Sequence, residues 1–282
     1  MTKGWRSMTV GVLAHLFGSL PVHTLAEQVS AKGFRHVQLA LWKAIDGYDF
    51  TKPGKLSPGL ASMIGEAFDR QGVSISVLGC YVHLFDRNEE QRRTNIERFK
   101  ELLRHARSFG CSIVAAETGT NPGNEYNEQD WVNMRNTLRE LAEEAERWGV
   151  YVGMEAANGH LIGTAPELRK MLDEVPSSNI GVVLDPGNLL TTGNFERQND
   201  VIEEAFSLLG ERVIAAHAKD RTLNEQGELV TVPAGFGQMN YELYMKLLNQ
   251  YKPGVQVIME EAKPDQMTFS KQYIENIRQN AI

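Results

Sequence analysis

The sequence predicts an α/β protein that folds as a single (β/α)8 TIM barrel domain spanning residues 1–282. Short apolar runs alternate with amphipathic stretches eight times, without a linker-like segment. This alternation is typical of a parallel sheet whose strands are joined by helices. Eight such units favour closure into a barrel, and 282 residues suit a fold that usually takes about 250. No glycine-rich phosphate-binding motif follows the first strand, which disfavours an open nucleotide-binding sheet.

The expected elements follow one another in regular order. Apolar runs short enough for buried strands come first in each unit, and stretches with apolar residues at helical spacing follow them. Strands are expected at about 9–14, 34–41, 73–81, 111–117, 150–155, 180–184, 213–218 and 255–259, and helices at about 21–32, 57–71, 89–109, 128–148, 164–174, 196–209, 241–250 and 270–279.

Local signals mark several of the expected boundaries. Thr164 stands three residues before Glu167, which is the spacing of a capping box at a helix start. The segment 219–233 holds a turn-like Asn-Glu-Gln-Gly between extended pieces and predicts a loop or small hairpin. Glycine follows four of the amphipathic stretches, where a left-handed residue commonly ends a helix: Gly33, Gly72, Gly110 and Gly149.

The stretch 179–188 organises the rest of the chain. Its apolar run ends at Asp185, and Pro186 and Gly187 then interrupt the backbone. A continuous apolar run is typical of a strand buried on both faces. A carboxylate at the end of such a strand is costly to bury unless it is paired or binds a metal. We therefore expect partners for Asp185 at the ends of neighbouring strands.

Three further polar residues supply these partners. Glu155, Asp185, His217 and Glu260 follow one another at spacings of 30, 32 and 43 residues, and one strand with its helix takes roughly 30 residues in this kind of barrel. Because the carboxyl ends of the strands form one rim, the four side chains are expected at the same mouth. Three carboxylates and one imidazole suit a single divalent ion. We expect Mn²⁺ first, with Co²⁺, Mg²⁺ or Zn²⁺ as alternatives.

Two positions on this rim are ambiguous. Glu260 and Glu261 project to opposite sides of a strand. We choose Glu260, because VIMEEA aligns with VGMEAA of the fifth strand at its first glutamate. Lys219 shares a strand face with His217 and is expected to point toward the same mouth, unless it pairs with Asp220.

The strand-end motifs resemble those of the sugar phosphate isomerase/epimerase superfamily, which has xylose isomerase-like barrels. MEAANGH, VVLDPGNLL, AHAKDR and VIMEEA carry the resemblance, together with LGCYVHLFD and AAETGT, and it covers nearly the whole chain. The resemblance implies that Glu155, Asp185, His217 and Glu260 bind the metal. It also implies that Glu155 and Glu260 move protons. The best-known epimerases carry a substrate-contacting histidine where this chain has Asn188, which leaves the substrate class open.

The chemistry of these residues suggests the same reaction. A metal on a carbonyl oxygen stabilises an enediolate, and two carboxylates on opposite faces allow a proton to leave one face and return to the other. We expect a metal-dependent isomerase or epimerase of a small sugar, sugar phosphate or keto-polyol. Further candidates for substrate contacts are His83, Glu117, His160, Asn188, Lys219 and Arg221.

Three other functions stay open. An inosose-type dehydratase would use the same enediolate chemistry. An abasic-site endonuclease resembles this chain in fold but needs three zinc ions and several histidines, whereas this chain has seven histidines and an asparagine at 188. A barrel that binds a sugar without converting it is the third. The number of metal ions per chain separates the nuclease from the others.

Composition limits the partners. The net charge of −7 and the pI of about 5.6 disfavour nucleic acid, and no apolar run approaches the ~20 residues of a membrane span. Cys80 and Cys111 form no disulfide framework and fit a reducing cytoplasm. The N-terminus lacks a clear cleavage site, so no signal peptide is expected. A small-molecule sugar is the expected partner, and a homo-oligomer is left open. Structural roles are expected for His15, His23, His36 and His105, and a place in the core, rim or site wall for Trp5, Trp42 and Trp131.

Overall fold

Eight parallel strands close into a barrel in the computed structural model, which describes residues 9–281. Trp5 lies outside the described residues. The barrel strands are β1 (Val10–Leu13), β2 (His36–Leu39), β3 (Ser74–Gly79), β4 (Ile113–Glu117), β5 (Tyr151–Glu155), β6 (Ile180–Leu184), β7 (Val213–Ala218) and β10 (Val257–Met259). Around the barrel these strands are ordered β1-β10-β7-β6-β5-β4-β3-β2.

Helices connect these strands and cover the outside of the barrel. The eight-unit alternation expected from the sequence is confirmed. The helices are α1 (Val22–Ala31), α2 (Leu41–Ala44), α3 (Pro58–Asp69), α4 (Glu89–His105), α5 (Glu128–Trp148), α6 (Ala165–Glu174), α7 (Pro186–Leu189), α8 (Gln198–Leu209), α9 (Tyr241–Tyr251) and α10 (Met267–Asn280). The short helices α2 and α7 are additional to the expected ones and follow β2 and β6 directly.

Local capping explains where the helices begin and end. Thr164 accepts a hydrogen bond from the Glu167 amide while the Glu167 side chain accepts from the Thr164 amide, so the predicted capping box is confirmed. Gly149 closes α5 in the left-handed conformation at φ 61°. The predicted helix over 89–109 instead narrows to a 3-10 turn at Ala106–Phe109 before Gly110.

The interior of the barrel is filled by a small apolar cluster that lies beneath the carboxyl-terminal mouth. Small residues are needed where neighbouring strands approach closely. A Cβ on Gly153 of β5 would come within 3.0 Å of Val183 and 3.1 Å of Ala115. Because this apolar cluster fills the interior, functional groups have room only at the rim of the barrel. The cluster consists of Leu13, Val77, Ile113, Ala115, Val183, Ala215 and Ile258.

The predicted hairpin after β7 is confirmed. β8 (Asp220–Leu223) pairs antiparallel with β9 (Leu229–Val232). Asp220 is buried and accepts hydrogen bonds from the backbone amides of Gly235, Gly237 and Met239, which fixes the loop that follows the hairpin. Among residues 9–281, no helix combines the length and apolar character that crossing a bilayer requires.

Candidate metal centre

Four polar side chains are buried at the carboxyl-terminal mouth of the barrel. Glu155 is the last residue of β5, Asp185 follows β6, His217 lies near the end of β7, and Glu260 follows β10. Their exposed fractions are 3%, 2%, 1% and 8%. The parallel order of the strands therefore gathers residues that are far apart in sequence at one place.

Three of the four form a compact group. Glu155, Asp185 and His217 each offer one ligand atom, and these atoms lie within 4.8 Å of one another. Glu260 joins them through His217, whose Nδ1 lies 3.0 Å from Glu260 Oε1 and 3.2 Å from Glu155 Oε1. Glu261 is exposed and adopts a positive φ of 60°, so its carboxylate lies away from this group.

Lys219 is part of the cluster. Its Nζ lies 2.9 Å from Asp185 Oδ2 and donates a hydrogen bond of 2.8 Å to Glu260 Oε2. The alternative pairing of Lys219 with Asp220 is wrong. Asp220 projects to the other side of the chain and is saturated by backbone amides, whereas Lys219 faces the mouth.

The buried charges shift one another's pKa values. Burial alone would lower the pKa values of His217 and Lys219, but the carboxylates around them outweigh this effect and raise both. Burial also opposes ionisation of Glu260, yet Lys219 and His217 hold its pKa well below the usual range. The pKa of Asp185 is raised, first by burial and then by Glu260 and Glu155, despite the attraction of Lys219. Two cations thus balance part of the charge of three carboxylates.

The residues fit a divalent ion. Asp185 Oδ2 is buried and accepts no hydrogen bond from any of residues 9–281, because Lys219 approaches it as an ion pair without hydrogen-bond geometry. Its other oxygen accepts from the Gly187 amide at 2.8 Å, which fixes the carboxylate. Buried carboxylate oxygens and an imidazole nitrogen are donors that a divalent metal accepts.

Gln38 and Tyr81 extend the site, although the strand-end motifs did not point to them. Gln38 Oε1 lies 2.9 Å from His217 Nε2, and the Gln38 amide nitrogen donates to the Tyr81 hydroxyl. This arrangement places the Nε2 proton toward Gln38 and directs Nδ1 toward the carboxylates. The signal in the sequence is a glutamine inside the buried strand β2, where a buried amide requires a partner.

A second group lies beside Glu155. The Asn188 amide donates to Glu155 Oε1 at 2.8 Å and reaches Glu117 Oε1 at 3.5 Å. His160 accepts from the Gly119 amide at 3.2 Å, and its Nε2 lies 3.9 Å from Glu117 Oε2. Burial, followed by repulsion from Glu155 and Glu260, raises the pKa of Glu117 to about 7.

Two predicted contact residues lie outside these groups. His83 stands 3.6 Å from Asp86, and its Nε2 is buried without a hydrogen-bond partner among residues 9–281. Arg221 on β8 donates to Thr231 Oγ1 at 2.6 Å, and its Nε has no such partner in the described chain. In the part of the chain that the structure describes, neither forms a hydrogen bond or ion pair with the four buried side chains.

The fold and the site together define a class of barrel proteins whose functional groups converge at the carboxyl ends of parallel strands. The chain belongs to the xylose isomerase-like TIM barrel family, whose sequence model matches residues 26–279. Membership agrees with the superfamily resemblance of the strand-end motifs.

Similar proteins include sugar-converting enzymes. The chain is 23% identical over 200 residues to a probable L-ribulose-5-phosphate 3-epimerase of Mycoplasma pneumoniae, a match that covers 70% of this chain but 62% of the relative, which is less than two thirds of its length. It resembles the structure of a D-tagatose 3-epimerase-like protein with a TM-score of 0.77 and 20% identity, over 97% of this chain and 98% of the other. A magnesium complex of a xylose isomerase-like barrel protein from Mycobacterium smegmatis gives a TM-score of 0.75 at 16% identity, over 98% of each chain. At such low sequence identities, these structural similarities support the fold alone.

Proposed function

We propose that this protein is a metal-dependent isomerase or epimerase that moves a proton in a small sugar, sugar phosphate or keto-polyol. The observation that carries the proposal is the pair of buried carboxylates on one imidazole. Glu155 and Glu260 lie 3.2 and 3.0 Å from His217 Nδ1 and come from strands that β6 and β7 separate. Two carboxylates placed this way suit proton removal and return on two sides of one carbon.

The residues that would hold the metal are Glu155, Asp185, His217 and Glu260. A divalent ion bound there would supply positive charge that stabilises negative charge on a substrate oxygen. Mn²⁺ is our first choice, and Co²⁺, Mg²⁺ or Zn²⁺ are alternatives. The magnesium in the similar Mycobacterium smegmatis protein supports a divalent ion in this kind of barrel.

The remaining side chains orient the two bases. Asn188 holds Oε1 of Glu155 through its amide, and Lys219 holds Oε2 of Glu260 through its ammonium. Each carboxylate is therefore fixed on one edge, and a positioned general base of this kind contributes about 10²–10⁴ in rate. Gln38 keeps the imidazole of His217 in one orientation through its Nε2. The site is thus preorganised by side chains outside the acid–base pair.

The relatives support a sugar as the substrate. The Mycoplasma pneumoniae protein is a probable 3-epimerase of a ketose phosphate, and the D-tagatose 3-epimerase-like protein shares nearly the full barrel. Inversion at a carbon beside a carbonyl requires a proton donor and acceptor on opposite faces, and in this proposal Glu155 and Glu260 take these two roles.

Glu117 supports a second candidate function. With a pKa of about 7, this carboxyl group is partly protonated at neutral pH and lies beside the proton-transfer pair through Asn188. An acid at that position can protonate a departing hydroxyl group, as an inosose-type dehydratase requires. Product analysis separates the two functions, because loss of water changes the mass of the product and epimerisation does not.

The test is a screen of the metal-reconstituted enzyme against ketoses, aldoses, their phosphates and inososes in deuterated water. Deuterium incorporation reports enolisation even before the product is known. Glu155→Gln and Glu260→Gln should retain much of the metal and lose at least about 10² in rate. In an epimerase each variant can still exchange one substrate hydrogen with solvent while product fails to form. A wild-type enzyme that converts a substrate without any exchange would refute the two-carboxylate mechanism.

A further inference from the structure

Lys43 stands at the barrel mouth, with no acidic partner among the described residues. It lies in α2, directly after β2, and its Nζ is 4.5 Å from the centre of the Tyr81 ring and 5.1 Å from that of Trp42. Among residues 9–281 no carboxylate forms an ion pair with it and no acceptor takes a hydrogen bond from it. Two aromatic faces position this charge, and its hydrogen-bonding capacity remains free for a ligand.

His15 accompanies Lys43 from the next strand. It follows β1, and its Nδ1 is buried without a hydrogen-bond partner in the described chain. Burial, then the charge of Lys43, lowers the pKa of His15, while Glu260 acts in the opposite direction. His15 is therefore close enough to both Lys43 and Glu260 to be affected by their charges. A buried imidazole nitrogen without a partner is costly unless a ligand or water supplies one.

Tyr81 connects this pair to the catalytic end of the site. Its ring lies under Lys43, and its hydroxyl accepts from Gln38, which in turn contacts His217. Burial and the charges of Glu260, Glu155 and Glu117 raise the pKa of Tyr81 well above its usual value, so the hydroxyl stays protonated. A ligand that fills the mouth would therefore span from the carboxylates to Lys43.

The charges around the rim are divided between two sides. Glu117, Glu155, Asp185 and Glu260 lie at or directly after the ends of β4, β5, β6 and β10, with Lys219 among them after β7. His15 and Lys43 lie in the short helices that follow β1 and β2. An unpaired ammonium at this place would contribute little to the binding of a substrate with a neutral polyol end. A substrate with an anionic end is repelled by the carboxylate side and attracted to the other, which fixes the direction in which it binds.

We propose that Lys43 and His15 form the subsite for an anionic group of the substrate, a phosphate ester or a carboxylate, at the end remote from the reacting carbon. The inference rests on the proposed function and narrows its substrate class to acidic sugars. Lys43 supplies the charge, and His15 supplies a hydrogen bond. Trp42 and Tyr81 act as positioning residues for the lysine.

The first experiment measures anion binding without catalysis. Inorganic phosphate is titrated into the metal-free protein and followed by calorimetry and by the line width of its phosphorus resonance. Lys43→Met should weaken phosphate binding at least tenfold, and Lys43→Arg should restore it to within about threefold because the charge returns. Lys246→Met is the matched control, since Lys246 is exposed on α9 and forms no ion pair among residues 9–281. His15→Ala should weaken binding and His15→Gln should weaken it less.

The second experiment uses a matched pair of substrates with the metal-reconstituted enzyme, D-ribulose 5-phosphate and D-ribulose, with ribonate as a carboxylate competitor. Lys43→Met should raise the KM for the phosphate at least tenfold, with a smaller change in kcat, and leave the values for D-ribulose unchanged. If ribonate loses its inhibition in Lys43→Met while phosphate binding is unaffected, the anion is a carboxylate.

Two results would overturn the subsite. In the first, phosphate and ribonate bind Lys43→Met as well as the wild type but no longer bind Arg221→Met. The anion would then bind at the hairpin. The other is a wild-type protein that binds neither anion. If Lys43→Met weakens anion binding while no substrate exchanges deuterium, the subsite stands and the proposed proton transfer fails.

Discussion

Lys219 Nζ lies 2.9 Å from Asp185 Oδ2 at the centre of the barrel mouth, where both side chains are buried. In the protein without a metal, the ammonium compensates a carboxylate whose burial is otherwise unfavourable. The same ammonium contacts Glu260, so it occupies the place between two candidate metal ligands. Binding of a divalent ion would therefore compete with Lys219 for the same oxygens.

Replacement of Lys219 by methionine should destabilise the metal-free protein and increase the stabilisation that a metal provides. Removing one partner of a buried ion pair costs about 3–5 kcal/mol. Urea denaturation of the metal-free variant should show this loss, and added Mn²⁺ should raise its Tm by more than that of the wild type. Lys246→Met should change neither quantity. An unaltered metal-free stability in Lys219→Met would show that the pair contributes nothing.

The ligand assignment can be tested by metal content. Asp185→Ala and His217→Ala should each lower metal occupancy at least tenfold, because each removes a donor of the compact group that no neighbour replaces. Elemental analysis after dialysis against a fixed Mn²⁺ concentration gives the result. Asp173→Ala is a suitable control, since Asp173 forms an exposed pair with Arg169. Full occupancy in both site variants would refute the assignment.

The strand register at β10 predicts different effects for two adjacent glutamates. Glu260→Gln should abolish turnover and reduce solvent deuterium exchange to the single hydrogen that Glu155 supports, because Glu260 contacts His217 and Lys219. Glu261→Gln should retain most of the wild-type rate, since this side chain is exposed. Exchange rates measured by NMR distinguish the two. The reverse pattern would place Glu261 in the site.

The raised pKa of Glu117 predicts a pH-dependent stability. The folded-state pKa is about 7 against an ordinary 4.5, so the folded protein binds this proton more tightly than the unfolded chain does. The contribution of this raised pKa to the free energy of unfolding is complete below pH 4.5 and is lost as the pH rises through about 7.

Glu117→Gln, which stays neutral, should remove this dependence. At pH 8 the metal-free variant should exceed the wild type in free energy of unfolding by on the order of 2 kcal/mol, after allowance for partial solvent screening. At pH 4 the two should differ little. Urea titrations at several pH values give the comparison, with the exposed Glu203→Gln on α8 as the control. A constant difference across this range would show that Glu117 does not titrate as stated.

The sequence by itself determined the barrel and its site-bearing rim. Helical and strand periodicities are local properties, and so are the capping signals at Thr164 and Gly149, which is why the elements could be placed from residue patterns alone. Parallel strands end at one rim, so spacing was enough to bring Asp185 and His217 together.

Only the tertiary structure decided which side chains meet at that rim. Gln38 and His217 are 179 residues apart in sequence. They can contact each other only because β2 and β7 belong to one closed barrel. The partner of Lys219 likewise depended on the direction of its side chain, and local sequence suggested Asp220 where the fold supplies Asp185 and Glu260. Side-chain directions at strand ends are set by register and barrel closure, because the last residues of a strand leave its regular alternation.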